Sequence, residues 1–208
     1  MHNQKGSTLV EFMIASCLGL IAFAIVGALY TSGQKAAMER AKELMLLQNT
    51  ASVLQMMKSD IRRAGFDGKD TKSVKISGAN NTLYTSSSID SALIAYVYNV
   101  GGSGKAPMYK NVVYEQRPEM PELLFVCEKK QTRIWDIDDV ISLAGTGTCS
   151  SLFDNNKIHL SRFEIISNAI ESTGAKSALV TVTLEAKLKD APGIRTQRSF
   201  TVKQRNWQ

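Results

Sequence analysis

Apolar and polar positions are unevenly spread along this chain. From Phe12 to Gln34 the run FMIASCLGLIAFAIVGALYTSGQ holds 23 residues without a charge, and Phe12 to Tyr30 is almost wholly apolar. At about 1.5 Å of rise per residue, Phe12 to Tyr30 spans roughly 28 Å, close to the hydrocarbon thickness of a bilayer, so the pattern predicts a membrane-spanning helix. A cleaved secretory signal would have a shorter apolar run followed by a small-x-small site and a loop, which this segment does not show. Beyond Lys35 a second pattern continues through Ala37, Ala41, Leu44, Leu47, Ala51, Leu54, Met57, Ile61 and Ala64, at steps of three and four that keep one helical face apolar. No proline interrupts it and Gly65 is placed to stop it, so one helix is expected from about Thr8 to Ala64, its Leu44–Ala64 part acting as a core helix of the following domain.

After Gly65 the period changes from helical to alternating. Strands are expected at Ser91–Tyr98, Val112–Glu115, Leu123–Cys127, Thr132–Trp135, Ile158–Ser167, Leu179–Leu188 and Arg195–Arg205. In the sixth, Val180, Val182, Leu184, Ala186 and Leu188 alternate with Thr181, Thr183, Glu185 and Lys187, which predicts one buried and one wet face. The segment KDAPG, Lys189–Gly193, is a turn signal and predicts an antiparallel hairpin, with Phe200 and Val202 extending the buried face toward the helix stripe. The polar segments Gly65–Asn81 and Gly101–Pro107 are read as loops. The expected fold class is therefore α+β: a long N-terminal helix, membrane-spanning in its first half, packed on a C-terminal antiparallel β-rich head. The boundaries that follow are a leader at 1–6, a spanning helix at 7–34, an amphipathic helix at 35–64 and a head at 65–208.

Composition narrows the picture rather than redrawing it. At 208 residues and a formal charge of +6, the chain is long enough for one ordinary domain with an appendage and too short for a large multidomain enzyme. Glu11 is the one charged residue in the first apolar turns, and a carboxylate at the edge of hydrocarbon costs on the order of 2 to 3 kcal/mol unless a cation meets it. If the chain were cut after Gly6, the new α-amine of Ser7 would lie four residues before Glu11 on one helical face. Snorkelling of Glu11 to the interface is the alternative.

The segment GSTLVEFMIA resembles the leader junction of type IV pilins and type II secretion pseudopilins: a glycine, a hydroxyl residue, an aliphatic pair, and a glutamate at the fifth mature position before a long apolar run. The later segment LQNTASVLQMMKSDIRRAGFDG is similar to the end of the long helix in PilW-type minor pilins, near the prepilin-peptidase-dependent protein B group and pseudopilin J. The resemblance covers about the first 68 residues well. It implies that Gly6 precedes the scissile bond, that Ser7 is the new N-terminus which the same peptidase methylates, and that Glu11 meets the N-terminal amine of a neighbouring subunit. Ser7 departs from the family's usual phenylalanine. The implied partners are other minor pilins, the major pilin, the prepilin peptidase and, before assembly, the inner membrane; the implied role is a minor pilin at or near a filament tip, or a minor pseudopilin. Positive charge does not orient the span, because Lys5 stands on one side and Lys35 and Arg40 on the other. The resemblance and the cysteines place the leader in the cytoplasm and the head in the periplasm.

Candidate chemistry in the head is sparse. Cys17 lies in the apolar helix, so a bridge within the head can form between Cys127 and Cys149, as suits an oxidising compartment; two free thiols are the alternative. The histidines are His2 and His159, which excludes a multi-histidine zinc site, and neither a nucleophile constellation nor a phosphate loop is signalled. No enzyme activity, cofactor or metal is expected. His159 reads as a half-exposed strand residue. Asp136, Asp138 and Asp139 in WDIDDV lack the glycine turn and distal glutamate of an EF-hand and read as a solvated turn. Arg195, Arg198, Lys203 and Arg205, interleaved with Phe200 and Trp207, offer either a soluble strand edge or a basic and aromatic surface for DNA.

Overall fold

The computed structural model describes residues 8–68, 73–88, 91–101, 107–142, 149–172 and 175–204; of the side chains of 171, 172, 175 and 176 nothing is said. Helix α1 runs over Leu9–Ile61 and is followed by strands β1 (Leu83–Ser87), β2 (Ala92–Asn99), β3 (Tyr109–Arg117) and β4 (Met120–Gln131), helix α2 (Ile137–Ser142), and strands β5 (Cys149–Ser151), β6 (Ile158–Ser172), β7 (Ala175–Leu188) and β8 (Arg195–Gln204). This is an α+β arrangement of a long N-terminal helix packed on antiparallel sheets. The chain divides into two units, the first ending at Leu44 and the second beginning at Met45.

From Leu9 onward the described part of the first unit is helix. Its side chains make no core, and Leu9, Phe12, Leu20, Phe23, Leu29 and Tyr30 are all more than 60 % exposed. Gly19, Gly27 and Gly33 do not interrupt it. By length and composition this helix is apolar enough to cross a membrane.

In the second unit, β1 to β5 form a five-stranded sheet in chain order and β6 to β8 a three-stranded one, every pairing antiparallel. The main core joins one face of the larger sheet (Ile94, Tyr96, Val112, Tyr114, Leu124), the inner face of the smaller (Val180, Val182, Leu184, Phe200, Val202) and the buried side of α1. The alternation in β7 thus buries the residues that its period predicts. The helix stripe differs from its expected course. Leu46, Thr50, Val53, Leu54, Met57 and Ile61 are buried, whereas Ala37, Ala41, Leu44 and Ala51 are exposed. The face is rotated because it takes in Thr50, a polar residue that periodicity passes over; its hydroxyl donates to the Leu46 carbonyl at 2.9 Å and so enters the core already satisfied.

The larger sheet is covered on its other side as well. Ala95, Val97, Val113 and Cys127 pack under Val74, Ile76, Trp135 and Val140, which explains why β2 and β3 are buried along nearly their whole length. The expected strand Thr132–Trp135 does not form. Its backbone is held instead by Asn111, fully buried in β3, whose amide nitrogen donates to the Arg133 carbonyl at 3.1 Å and whose oxygen accepts the Trp135 N–H at 2.9 Å. At the end of α1, Gly65 has φ +82° and its amide donates to the Val97 carbonyl at 2.9 Å; a Cβ there would stand 2.6 Å from Thr82 Cγ2, so only glycine fits.

Candidate functional site

At the start of α1 the sequence Thr8-Leu-Val-Glu11 forms a reciprocal cap. The Thr8 N–H donates to Glu11 Oε2 and the Glu11 N–H to Thr8 Oγ1, each at 3.4 Å. Glu11 therefore has two functions open to it on one atom set: it satisfies its own helix terminus, where a negative charge is favoured, and it leaves a carboxylate at the edge of the apolar run. Gly6 and Ser7, the expected cleavage and methylation positions, lie outside the described residues, as do His2 and Lys5. Cys17 is free and exposed.

In the head, Cys127 and Cys149 are joined by a disulfide, with β4 and β5 pairing these residues directly opposite one another. Beside it lies a buried ion pair that the sequence did not signal. Arg117 Nε donates to Glu115 Oε1 at 2.6 Å, and both side chains are at most 10 % exposed. The guanidinium also sits 4.4 Å from the centre of the Phe125 ring and its Nη2 is 3.7 Å from Cys127 Sγ. The spacing Glu-x-Arg on a strand puts both on one face, which was the available signal. Glu115, Cys127 and Cys149 bring potential ligand atoms within 4.8 Å of one another, but the two sulfurs are bonded to each other and so do not offer thiolates to a metal.

A second polar cluster ties α1 to the larger sheet. The Tyr114 hydroxyl donates to Asp60 Oδ2 at 3.4 Å, next to Tyr96, and Arg63 lies over the Tyr98 ring. Burial pushes the hydroxyls of Tyr96 and Tyr114 well above the ordinary phenol range, with Asp60 adding to the shift. His159 is largely buried in β6, and its Nδ1 is 3.0 Å from Glu122 Oε2 of β4, so it bridges the two sheets. The aspartate cluster is not a turn but the start of α2. Asp136 Oδ1 accepts the Asp139 N–H at 2.7 Å while Asp139 Oδ2 accepts the Asp136 N–H at 3.1 Å. Arg133, 2.8 Å from Asp139, holds that carboxyl below the usual range together with the Asp136 N–H. The carboxylates of Asp136 and Asp139 are thus engaged in a helix cap and with a guanidinium, while Asp138 is exposed.

The basic and aromatic surface is altered too. Phe200 points into the main core, so it is withdrawn from any stacking platform, while Arg195, Arg198 and Lys203 are exposed on β8. Arg205 and Trp207 lie outside the described residues.

The first unit carries the capped apolar helix and the second the disulfide-closed β head. Comparison with protein families gives a match to prepilin peptidase-dependent protein B over residues 39–204, well over half of the chain. Neither the curated proteins nor the solved structures offer a match. The matched region begins in α1 and runs to the last residue of β8, taking in the whole head that closes over the helix. The chain belongs to the prepilin peptidase-dependent protein B family.

Proposed function

We propose that this protein is a minor type IV pilin that helps initiate pilus assembly with other minor pilins at or near the filament tip. Prepilin peptidase cuts between Gly6 and Ser7 and methylates Ser7. The helix holds the subunit in the inner membrane with its head in the periplasm, and it then enters the filament core with the major pilin. The role is structural: the chain makes contacts and transforms no substrate. The observation that carries this reading is the isolation of Glu11 in an otherwise uncharged apolar stretch, one turn beyond the Gly6–Ser7 bond. In a filament the cation that neutralises it between subunits is the Ser7 amine of an adjoining copy or partner, and the pairing removes two charges that lipid penalises.

Glu11→Ala is therefore processed normally but fails to co-purify with partner minor pilins, and surface filaments fall severalfold. Intact-mass analysis reads the processing and filament counts read the assembly. Glu11→Asp is intermediate, because it keeps the charge and loses reach. Normal association of processed Glu11→Ala would overturn the reading. A minor pseudopilin of a type II secretion system would use the same helix; a deletion strain that keeps its filaments and loses secretion would indicate that role instead.

A further inference from the structure

A disulfide that serves only as a staple does not require charges beside it, and burying an ion pair costs several kcal/mol per ion before its mutual attraction is counted. Here the buried Glu115–Arg117 pair is set against one sulfur of the bridge. Cys127 Sγ is 3.5 Å from Glu115 Oε1 and 3.7 Å from Arg117 Nη2, whereas the other residues of its cluster, Val74, Ile76, Ala95, Val97, Val113, Trp135 and Val140, are apolar. The two sulfurs are also unequal in access: Cys127 is fully buried and Cys149, on the three-residue edge strand β5, is partly exposed.

We propose that Cys127–Cys149 is a thiol–disulfide exchange site, entered at Cys149 and opened toward Cys127, whose charge as a leaving group is tuned in opposite directions by Arg117 and Glu115. An external thiolate attacks Cys149 Sγ; the Cys127–Cys149 bond breaks and its electron pair leaves on Cys127 as thiolate, with a mixed disulfide on Cys149. A second external thiolate attacks the outer sulfur, releasing the oxidised external disulfide and the Cys149 thiolate, and each cysteine takes a proton. The net change is one protein disulfide and two external thiols converted to two protein thiols and one external disulfide. Reversed, with an external disulfide as oxidant, the same steps close the bridge. Exchange is faster when the leaving sulfur has a lower pKa. A guanidinium at contact favours the Cys127 thiolate, while a carboxylate at contact opposes it, so the pair together keeps the bond closed at rest yet able to open. Opening the bond leaves β5 held to β4 by its pairing with Phe125, Val126 and Cys127 and by the Leu152 N–H, which donates to the Leu124 carbonyl at 2.9 Å.

The test uses the full chain in detergent and glutathione as the external thiol, with quenched samples mapped by peptide mass. The expected mixed disulfide is on Cys149. Arg117→Met slows opening roughly three- to tenfold, Arg117→Lys restores most of the rate, and Glu115→Gln speeds opening. Loss of packing alone would shift both variants in the same direction. Glutathione found on Cys127, or equal opening rates in the three variants and the wild type, would overturn the proposal. If either variant fails to fold by circular dichroism, the wild-type site of glutathione attachment still decides it.

Discussion

The two parts of α1 both carry large apolar side chains and meet opposite fates. Up to Leu44 the large apolar side chains stand in the open, while from Leu46 onward Val53, Leu54, Met57 and Ile61 are almost fully covered by strands. The difference lies in what the rest of the chain supplies. Residues 83–204 bring two sheets whose inner faces need a third wall, and only the second part of the helix serves as one. The first part has an unmet demand for apolar surroundings, which a bilayer or a bundle of like helices meets.

That contrast is open to direct measurement, beginning where the effect is greatest. Leu184→Ala, at a fully buried site of the main core, lowers head stability by about 2 to 5 kcal/mol in a denaturant titration. Leu20→Ala, one of the exposed set, leaves it within about 0.5 kcal/mol; a large loss there would show that the first part of the helix supports the head after all. Replacing Cys127 and Cys149 together by serine costs roughly 2 to 4 kcal/mol in the same titration, because a bridge of sequence separation 22 no longer restrains the unfolded chain.

Alkali provides a smaller, signed effect. Tyr96 and Tyr114 have raised folded-state values, so the folded head holds their protons where the unfolded chain releases them. Their contribution is complete below the free phenol range near 10 and is lost as pH rises beyond it. Thermal melting followed from pH 8 upward declines past about pH 10, and Tyr114→Phe flattens that decline. A further effect is local. Asp136→Ala removes the α2 cap and costs about 1 kcal/mol.

Much of the architecture can be read from residue order alone, and the parts that cannot have specific causes. The spanning run, the break at Gly65 and the alternation of β7 are signals carried by one segment each. The loop at 132–135 reads as a strand because Thr132 and Ile134 are β-branched and Trp135 is aromatic, and what decides against it is one side chain, Asn111, more than twenty positions away. β1 escaped notice because LYTSS is mostly polar and takes its order from pairing with β2. At the candidate site the aspartates were visible but their capping geometry was not, and the Glu115–Arg117 pair gains significance only when β4 brings Cys127 beside it. The roles of Gly6, Ser7 and Glu11 rest on a motif and a charge argument, and a single subunit does not hold the neighbour that would complete them.

The way the main core is closed has a consequence for timing. The wall that α1 provides is among the first parts of the chain to be made, and β7 and β8, which cover it, are the last. Until the final strands have emerged, Leu46 to Ile61 have only the larger sheet against them, and the side that faces β7 and β8 stays uncovered. A chain truncated before Ala178 is thus not a smaller version of this protein but one whose core is left open on the side that the C-terminal hairpin closes.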